Sequence, residues 1–335
     1  MPEKIYEKEY KSVMARIGGT MLIFLLLFNT LFPIAALIEQ MLIMYMDAGN
    51  AYIVGSLIQS VAYLATFLIP CAFFGLISKK HQARPVFNDI RLGRQFPLML
   101  IASIAITLAV AYVNSFIVEI FNFSSFYEQY MQVEPLDKNY KLVLEIIATA
   151  LVPACCEEYL FRGVILTNVL PYGKTPAIII SAVLFGLMHQ NPAQILYTTI
   201  AGIVIGLVYV RTRSIWGGVL IHFFNNLFSV LEQLLTDRLE YEQATKICIA
   251  MEAVLFVGGV ICAIVLIMTE RRRKRMFSDS GFGVVLEPSE EYVEYPLKQG
   301  RAAKLFFSPA VIIFICIVCI QMLYYILLAL GVVRL

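Results

Sequence analysis

Three short stretches carry the side chains from which chemistry can be built: CCEEYLFRG (Cys155 to Gly163), FGLMH (Phe185 to His189) and HFFNN (His222 to Asn226). Each interrupts an apolar run. An ionisable side chain within a membrane span costs about 3 kcal/mol on insertion scales and is retained chiefly for pairing or function. Of the three histidines in the chain, His81 falls in a basic segment, whereas His189 and His222 fall in these apolar stretches.

Helical spacing sorts the groups. Glu158 and Arg162 are four apart with the acid first, the favourable order for an ion pair. Glu157 points about 100° away, beside Phe161, and finds no partner on its own helix. Glu158 and Arg162 therefore read as a brace and Glu157 as the group free for chemistry, against the alternative of one buried structural network. Pro153, a turn earlier, removes a backbone hydrogen bond and can kink the helix to admit water. Phe185 and His189 share a face, and Asn191–Pro192 ends their helix; a lone histidine there can instead bond a carbonyl. His222 and Asn226 also share a face, with Asn225 rotated off it, and plain interhelical hydrogen bonding is the alternative for them.

These side chains need helices to bring them together. The turn PYGKT centres on Gly173, and Glu157 and His189 each lie 16 residues from it. An antiparallel hairpin thus sets both at one depth, roughly 24 Å of helix from the turn. His222 lies nine residues past Arg213, roughly 13 Å deep, and needs tilt or a broken helix to reach that level. Gly202 and Gly206 form a G-x-x-x-G that lets the intervening helix approach its neighbours closely.

The whole composition agrees with a membrane setting. Hydrophobic residues make up 60% and charged residues 15% of the 335, and mean hydropathy is +0.78, far from the roughly half apolar, quarter charged mix of soluble domains. A net charge of +2 without a basic face interleaved with aromatics argues against nucleic acid, leaving lipid and peptide as partners. The seven cysteines lie in or beside apolar runs, so no disulfide framework is expected, and Cys316-x-x-Cys319 is one turn of a hydrophobic helix. At about 20 apolar residues per crossing, runs near 17–44, 51–78, 96–120, 141–170, 176–190, 193–211, 215–235, 247–269 and 307–333 give an all-α bundle of about nine spans. The first run is too long for a signal peptide and lacks a cleavage site, so it reads as a retained span. Lys4, Lys8, Lys11 and Arg16, then Lys79, Lys80, Arg84, Arg91 and Arg94, then Lys174, Arg211, Arg213 and RRRKR (Arg271 to Arg275) all fall on one side by alternation, the cytoplasmic one. Loops 121–140 and 236–246 fall outside, and 277–306 reads as a cytoplasmic loop.

The three stretches resemble the E-E-x-x-x-R, F-x-x-x-H and H-x-x-x-N motifs of the CPBP intramembrane proteases, also called the Abi or type II CAAX prenyl endopeptidase family. The resemblance covers residues 141–235, a four-helix catalytic core, with three accessory helices in 1–140 and two C-terminal helices plus the cytoplasmic loop 270–306 in 236–335. It implies an intramembrane endopeptidase of a multi-pass protein, expected in a bacterial plasma membrane, in which Glu157 and His189 activate a water while His222 and Asn226 stabilise the oxyanion. Glu158, Arg162 and Phe185 are the supporting residues. A desolvated glutamate beside a histidine is a reasonable base, and peptide hydrolysis needs donors at the tetrahedral oxygen. Members are often labelled metalloproteases, and Glu157, His189 and His222 match the His₂Glu set of a catalytic zinc, although no H-E-x-x-H helix is present. The cofactor expectation is therefore none or a divalent metal such as zinc. No motif requires Cys155 or Cys156 as nucleophile.

Other functions remain on the table at this level. A non-catalytic immunity or scaffold protein of the same fold would bind a peptide partner without needing all four of Glu157, His189, His222 and Asn226. A proton-coupled transporter would call for inverted repeats, which the sequence does not display.

Overall fold

Apolar runs of this length must satisfy their backbone polar groups internally, and helices do that. The computed structural model describes residues 2–78, 92–120, 135–279, 301–329 and 332, with no strand among them. Helices α1 (Pro2–Tyr45), α2 (Ala48–Ser78) and α3 (Phe96–Ile120) come first. A continuous helical stretch, α4 (residues 139–169), follows, then α5 (Lys174–Met188), α6 (Ile195–Thr212) and α7 (Ile215–Arg238). Helices α8 (Tyr241–Asp279), the short α9 (Arg301–Phe306) and α10 (Pro309–Ala329) complete the order.

Among the described residues, seven helices are long and apolar enough to cross a membrane: α1, α2, α3, α6, α7, α8 and α10. Their outward faces, such as Val254, Val257, Ile261 and Ile264 of α8, expose large apolar side chains. This is an integral multi-pass membrane protein. The two further apolar runs are α5, which is only 15 residues long, and α4, which is broken into segments. In α4, α turns (Asn139–Glu145, Val152–Glu158, Thr167–Val169) alternate with π turns (Ile146–Leu151, Tyr159–Leu166). Pro153 sits just after the first π turn, where the wider i−5 pairing absorbs its missing N–H, so the helix continues through it.

The core lies where α1, α2, α4, α5 and α10 meet. Met14, Ile17, Met21 and Phe24 of α1 pack with Phe67 and Phe74 of α2, Phe161 and Ile165 of α4, and Phe314 of α10. Helix α3 packs along α8, and α5 along α6. The close approach expected from Gly202 is present: a Cβ there would stand 3.0 Å from the Cα of Ala182 on α5.

Several boundaries differ from the sequence expectation. The charged N-terminal segment is already helical as the start of α1. Helix α8 carries RRRKR as a helical extension to Asp279, and residues 301–306 form α9, so neither end of the expected 277–306 loop is loop. Arg and Lys are good helix formers, and α9 is held by Ala302, whose carbonyl accepts from the Tyr10 hydroxyl at 3.2 Å. The expected outer loop at 236–246 shrinks to a turn between Arg238 and Tyr241. Lys79, Lys80, His81, Arg84, Arg91, residues 121–134 of the first outer loop and residues 280–300 of the cytoplasmic one lie outside the described residues.

Candidate active site

The polar side chains singled out above come from α4, α5 and α7 and meet inside the bundle. Arg162 is fully buried, and its Nη1 donates to Glu158 Oε1 at 2.7 Å, the i,i+4 brace its spacing called for. Its Nη2 donates to the Gly202 carbonyl at 2.9 Å, and its guanidinium carbon lies 4.7 Å over the Phe185 ring. A buried cation left unpaired would be strongly destabilising, so these contacts are what permit Arg162 to exist here.

Glu158 does more than brace. Its Oε1 also accepts from His222 Nδ1 at 2.9 Å, which requires a proton on Nδ1 and turns Nε2 toward Glu157. His222 Nε2 approaches Glu157 Oε2 at 3.9 Å. On the sequence Glu157 has no partner; in the fold, its Oε1 accepts a hydrogen bond from the Tyr63 hydroxyl of α2. Its Oε2 is buried and has no hydrogen-bond partner.

His189 ends α5, and its Nδ1 lies 3.0 Å from the Phe185 carbonyl. Since a carbonyl only accepts, Nδ1 carries the proton and the neutral ring keeps a lone pair on Nε2. Glu157 and His222 are both within electrostatic reach of this ring. Phe185 separates and aligns the two imidazoles edge to face, with centroids 5.3 Å from His189 and 5.9 Å from His222.

Asn226 lies on the His222 face, as expected, and its Nδ2 donates to the Thr149 carbonyl at 3.0 Å. That carbonyl belongs to the first π turn, where backbone acceptors are freed from the regular ladder. Asn225 does point elsewhere, to Thr107 at 2.8 Å and Tyr197.

His222 reaches the level of Glu157 although an all-α ruler sets the two apart. A π turn spends more residues per turn, so the 16 residues from Gly173 to Glu157 cover less axis than an all-α ruler allows. That shortening is a small part of the roughly 11 Å offset; α7 runs unbroken from Ile215 to Arg238 and brings His222 Nε2 to 3.9 Å from Glu157 Oε2. Tyr63 is the site residue sequence reasoning did not find. A tyrosine in an apolar run carries no motif, and only the fold brings α2 against α4.

Among the described residues no group of three or more His, Cys, Asp or Glu side chains is arranged to hold a metal. His222 Nδ1 bonds Glu158 and His189 Nδ1 a carbonyl, contacts that fix both rings and leave each Nε2 open. Glu157, His189 and His222 are not gathered into a three-ligand arrangement among the described residues, and the chemistry below is derived from these side chains alone.

A buried glutamate–histidine cluster within a polytopic helical bundle has the make-up of an intramembrane hydrolytic site. Residues 139–228 match the family described as type II CAAX prenyl endopeptidase Rce1-like, the family that the three motifs resemble. The chain is also 32% identical over 128 residues to the "Putative membrane peptidase YdiL" of Bacillus subtilis (strain 168), covering 37% of this chain and half the length of that relative. No solved structure matches. The matched segment contains every motif residue and leaves out α2, which supplies Tyr63.

Proposed function

We propose that the protein is an intramembrane endopeptidase hydrolysing a peptide bond of a membrane-associated protein or peptide, through a water activated by Glu157 and His189. The observation that carries this reading is the contrast within the glutamate pair. Glu158 is consumed by Arg162 and His222, whereas Glu157 is fixed through Oε1 and presents an unbonded Oε2 to His222 Nε2.

The step balances on this chain's own groups. A water between Glu157 Oε2 and His189 Nε2 loses a proton to the carboxylate as its oxygen attacks the peptide carbonyl. The oxyanion is met by Nε2–H of His222 in its doubly protonated form, which carries both ring protons throughout and whose Nδ1–H is held by Glu158, in the manner of a carboxylate-oriented catalytic imidazole. The second amide N–H of Asn226 is the other donor, its first being held by Thr149. Glu157 then returns the proton to the departing amine, the C–N bond breaks, and a carboxylic acid and an amine leave, the acid giving its proton to the amine in water. In this reading the N-terminus faces the cytoplasm, as the Lys and Arg distribution requires.

The direct test compares the membrane proteomes of cells carrying the wild-type chain and Glu157→Gln, which is nearly isosteric but cannot take a proton. A wild-type-dependent set of cleaved membrane proteins, uncut in Glu157→Gln at equal protein level, is expected. Identical peptide profiles in the two strains would favour the scaffold function over the enzyme.

A further inference from the structure

The basic ends of four helices line an open cavity of about 450 Å³ that shares no lining residue with the glutamate–histidine cluster. Arg94 enters it from the turn before α3, Lys174 from the first residue of α5, Arg211 from the last turn of α6 and Arg273 from the charged extension of α8. Met99 and Leu207 form an apolar part of the wall. Two of the guanidiniums are held in place rather than left to wander. Arg211 Nη2 donates to Glu270 at 2.8 Å and to Gln95 at 3.2 Å, and Arg273 Nη2 donates to the same Glu270 at 2.8 Å.

Arg94, Lys174, Arg211 and Arg273 bring four positive side chains from four elements to one cavity, and Glu270 meets two of them. Guanidinium forks match the oxygens of a phosphate, and a lysine adds a point charge. The cavity is also at the right height, since each cation sits where a helix begins or passes out of its apolar stretch. The wall decides between a soluble anion and a lipid. Leu207 is 49% exposed on the outer face of α6, so the cavity runs from its basic rim onto a surface that acyl chains cover. A free phosphate would use the rim alone; a phospholipid uses both parts.

We propose that this cavity binds the phosphate headgroup of an anionic phospholipid from the adjoining leaflet, with its acyl chains leaving along Leu207. Such a lipid would tie together the ends of α3, α5, α6 and α8. The end of α6 is also the turn from which α7 carries His222 into the bundle.

The test uses the purified full chain in phosphatidylcholine nanodiscs, titrated with phosphatidylglycerol. Retained lipid is counted by native mass spectrometry, and Tm is followed in parallel. One saturable phosphatidylglycerol per chain and a rise in Tm are expected, with binding weakened roughly tenfold or more in Arg94→Gln/Lys174→Gln. Arg94→Lys/Lys174→Arg should bind as the wild type does. Arg271→Gln/Arg272→Gln, which removes neighbouring charges that do not line the cavity, should bind as the wild type too. Equal weakening in that last variant would mean a diffuse attraction to the basic tract and would overturn the site. Displacement of the lipid by inorganic phosphate at matched concentration would overturn the lipid assignment in favour of a free anion. If the first double variant is less stable in phosphatidylcholine alone, Arg94→Gln, on an exposed side chain, makes the comparison by itself.

Discussion

Glu157 and Glu158 are neighbours of one chemistry in two circumstances, and substitution should separate them. Glu158→Gln strands Arg162, whose charge is fully buried, and leaves only a neutral amide oxygen to orient His222. Breaking a buried pair from one side costs roughly 3–5 kcal/mol, so this variant should lose folded protein, read as a lower Tm and lower yield, along with activity. Glu157→Gln should keep its Tm and lose turnover only; equal and purely catalytic defects in both would refute the sorting. Tyr63→Phe deletes one hydrogen bond to a carboxylate, a contact worth roughly 1.5–3 kcal/mol. If Tyr63 positions the base, kcat should fall about tenfold or more while KM and Tm hold, and a fall in Tm with unchanged kcat would assign Tyr63 to packing. The brace between Glu158 and Arg162 was legible from spacing alone. The hydrogen bond from Tyr63 was not, because it joins residues 94 apart and no local pattern encodes which apolar helix packs on α4.

At the scale of elements, the site depends on helices that come closer than ordinary side chains allow. Helix α7 lays Gly217 and Gly218 against α6 and α4, and a Cβ on Gly218 would stand 2.9 Å from Glu158 Oε2 and 3.0 Å from Ile205. Glu158 cannot swing aside, since Arg162 and His222 hold its other oxygen. Gly218→Ala should therefore destabilise by roughly 1–3 kcal/mol and lower activity in step with Tm. Gly75→Ala on α2 meets nothing within 4 Å and gains the better helix propensity of alanine, about 1 kcal/mol at most. Thermal melts of the two variants check the contrast, and a neutral Gly218→Ala would show that α7 can retreat without disturbing the carboxylate. The π turns of α4 mark the limit of sequence reading at this scale. Periodicity finds a helix through 141–170 but assumes one rise per residue. The pairing that shortens α4 near Glu157 depends on contacts such as Thr167 Oγ1 to the Arg162 carbonyl at 2.8 Å and Ser181 Oγ to the Phe161 carbonyl at 2.8 Å.

Across the whole molecule, helix polarity and basic residues make one consistent frame. Arg211 at the end of α6 joins Gln95 at the start of α3 and Glu270 near the end of α8, so those three ends share one side of the bundle. Arg16 of α1 donates to Ser78 at the end of α2 at 2.9 Å, pairing the charged half of α1 with that end. The turn between α7 and α8, where Tyr241 is 83% exposed, follows the opposite end of α7. The all-helical make-up and the order of the apolar helices were legible because apolar length is a strong signal. The helical extensions past the apolar stretches of α1 and α8 were not, because hydropathy is silent on charged helix. By the positive-inside rule we propose that these basic ends face the cytoplasm. In a chain with its native cysteines replaced by alanine, Arg275→Cys at the exposed end of α8 should react with an impermeant maleimide only after the cytoplasmic side is opened. Tyr241→Cys should react on intact cells. The reverse pattern would invert the molecule, place Arg94, Lys174, Arg211 and Arg273 against the outer leaflet, and change which leaflet supplies their phospholipid while leaving the geometry of Glu157 untouched.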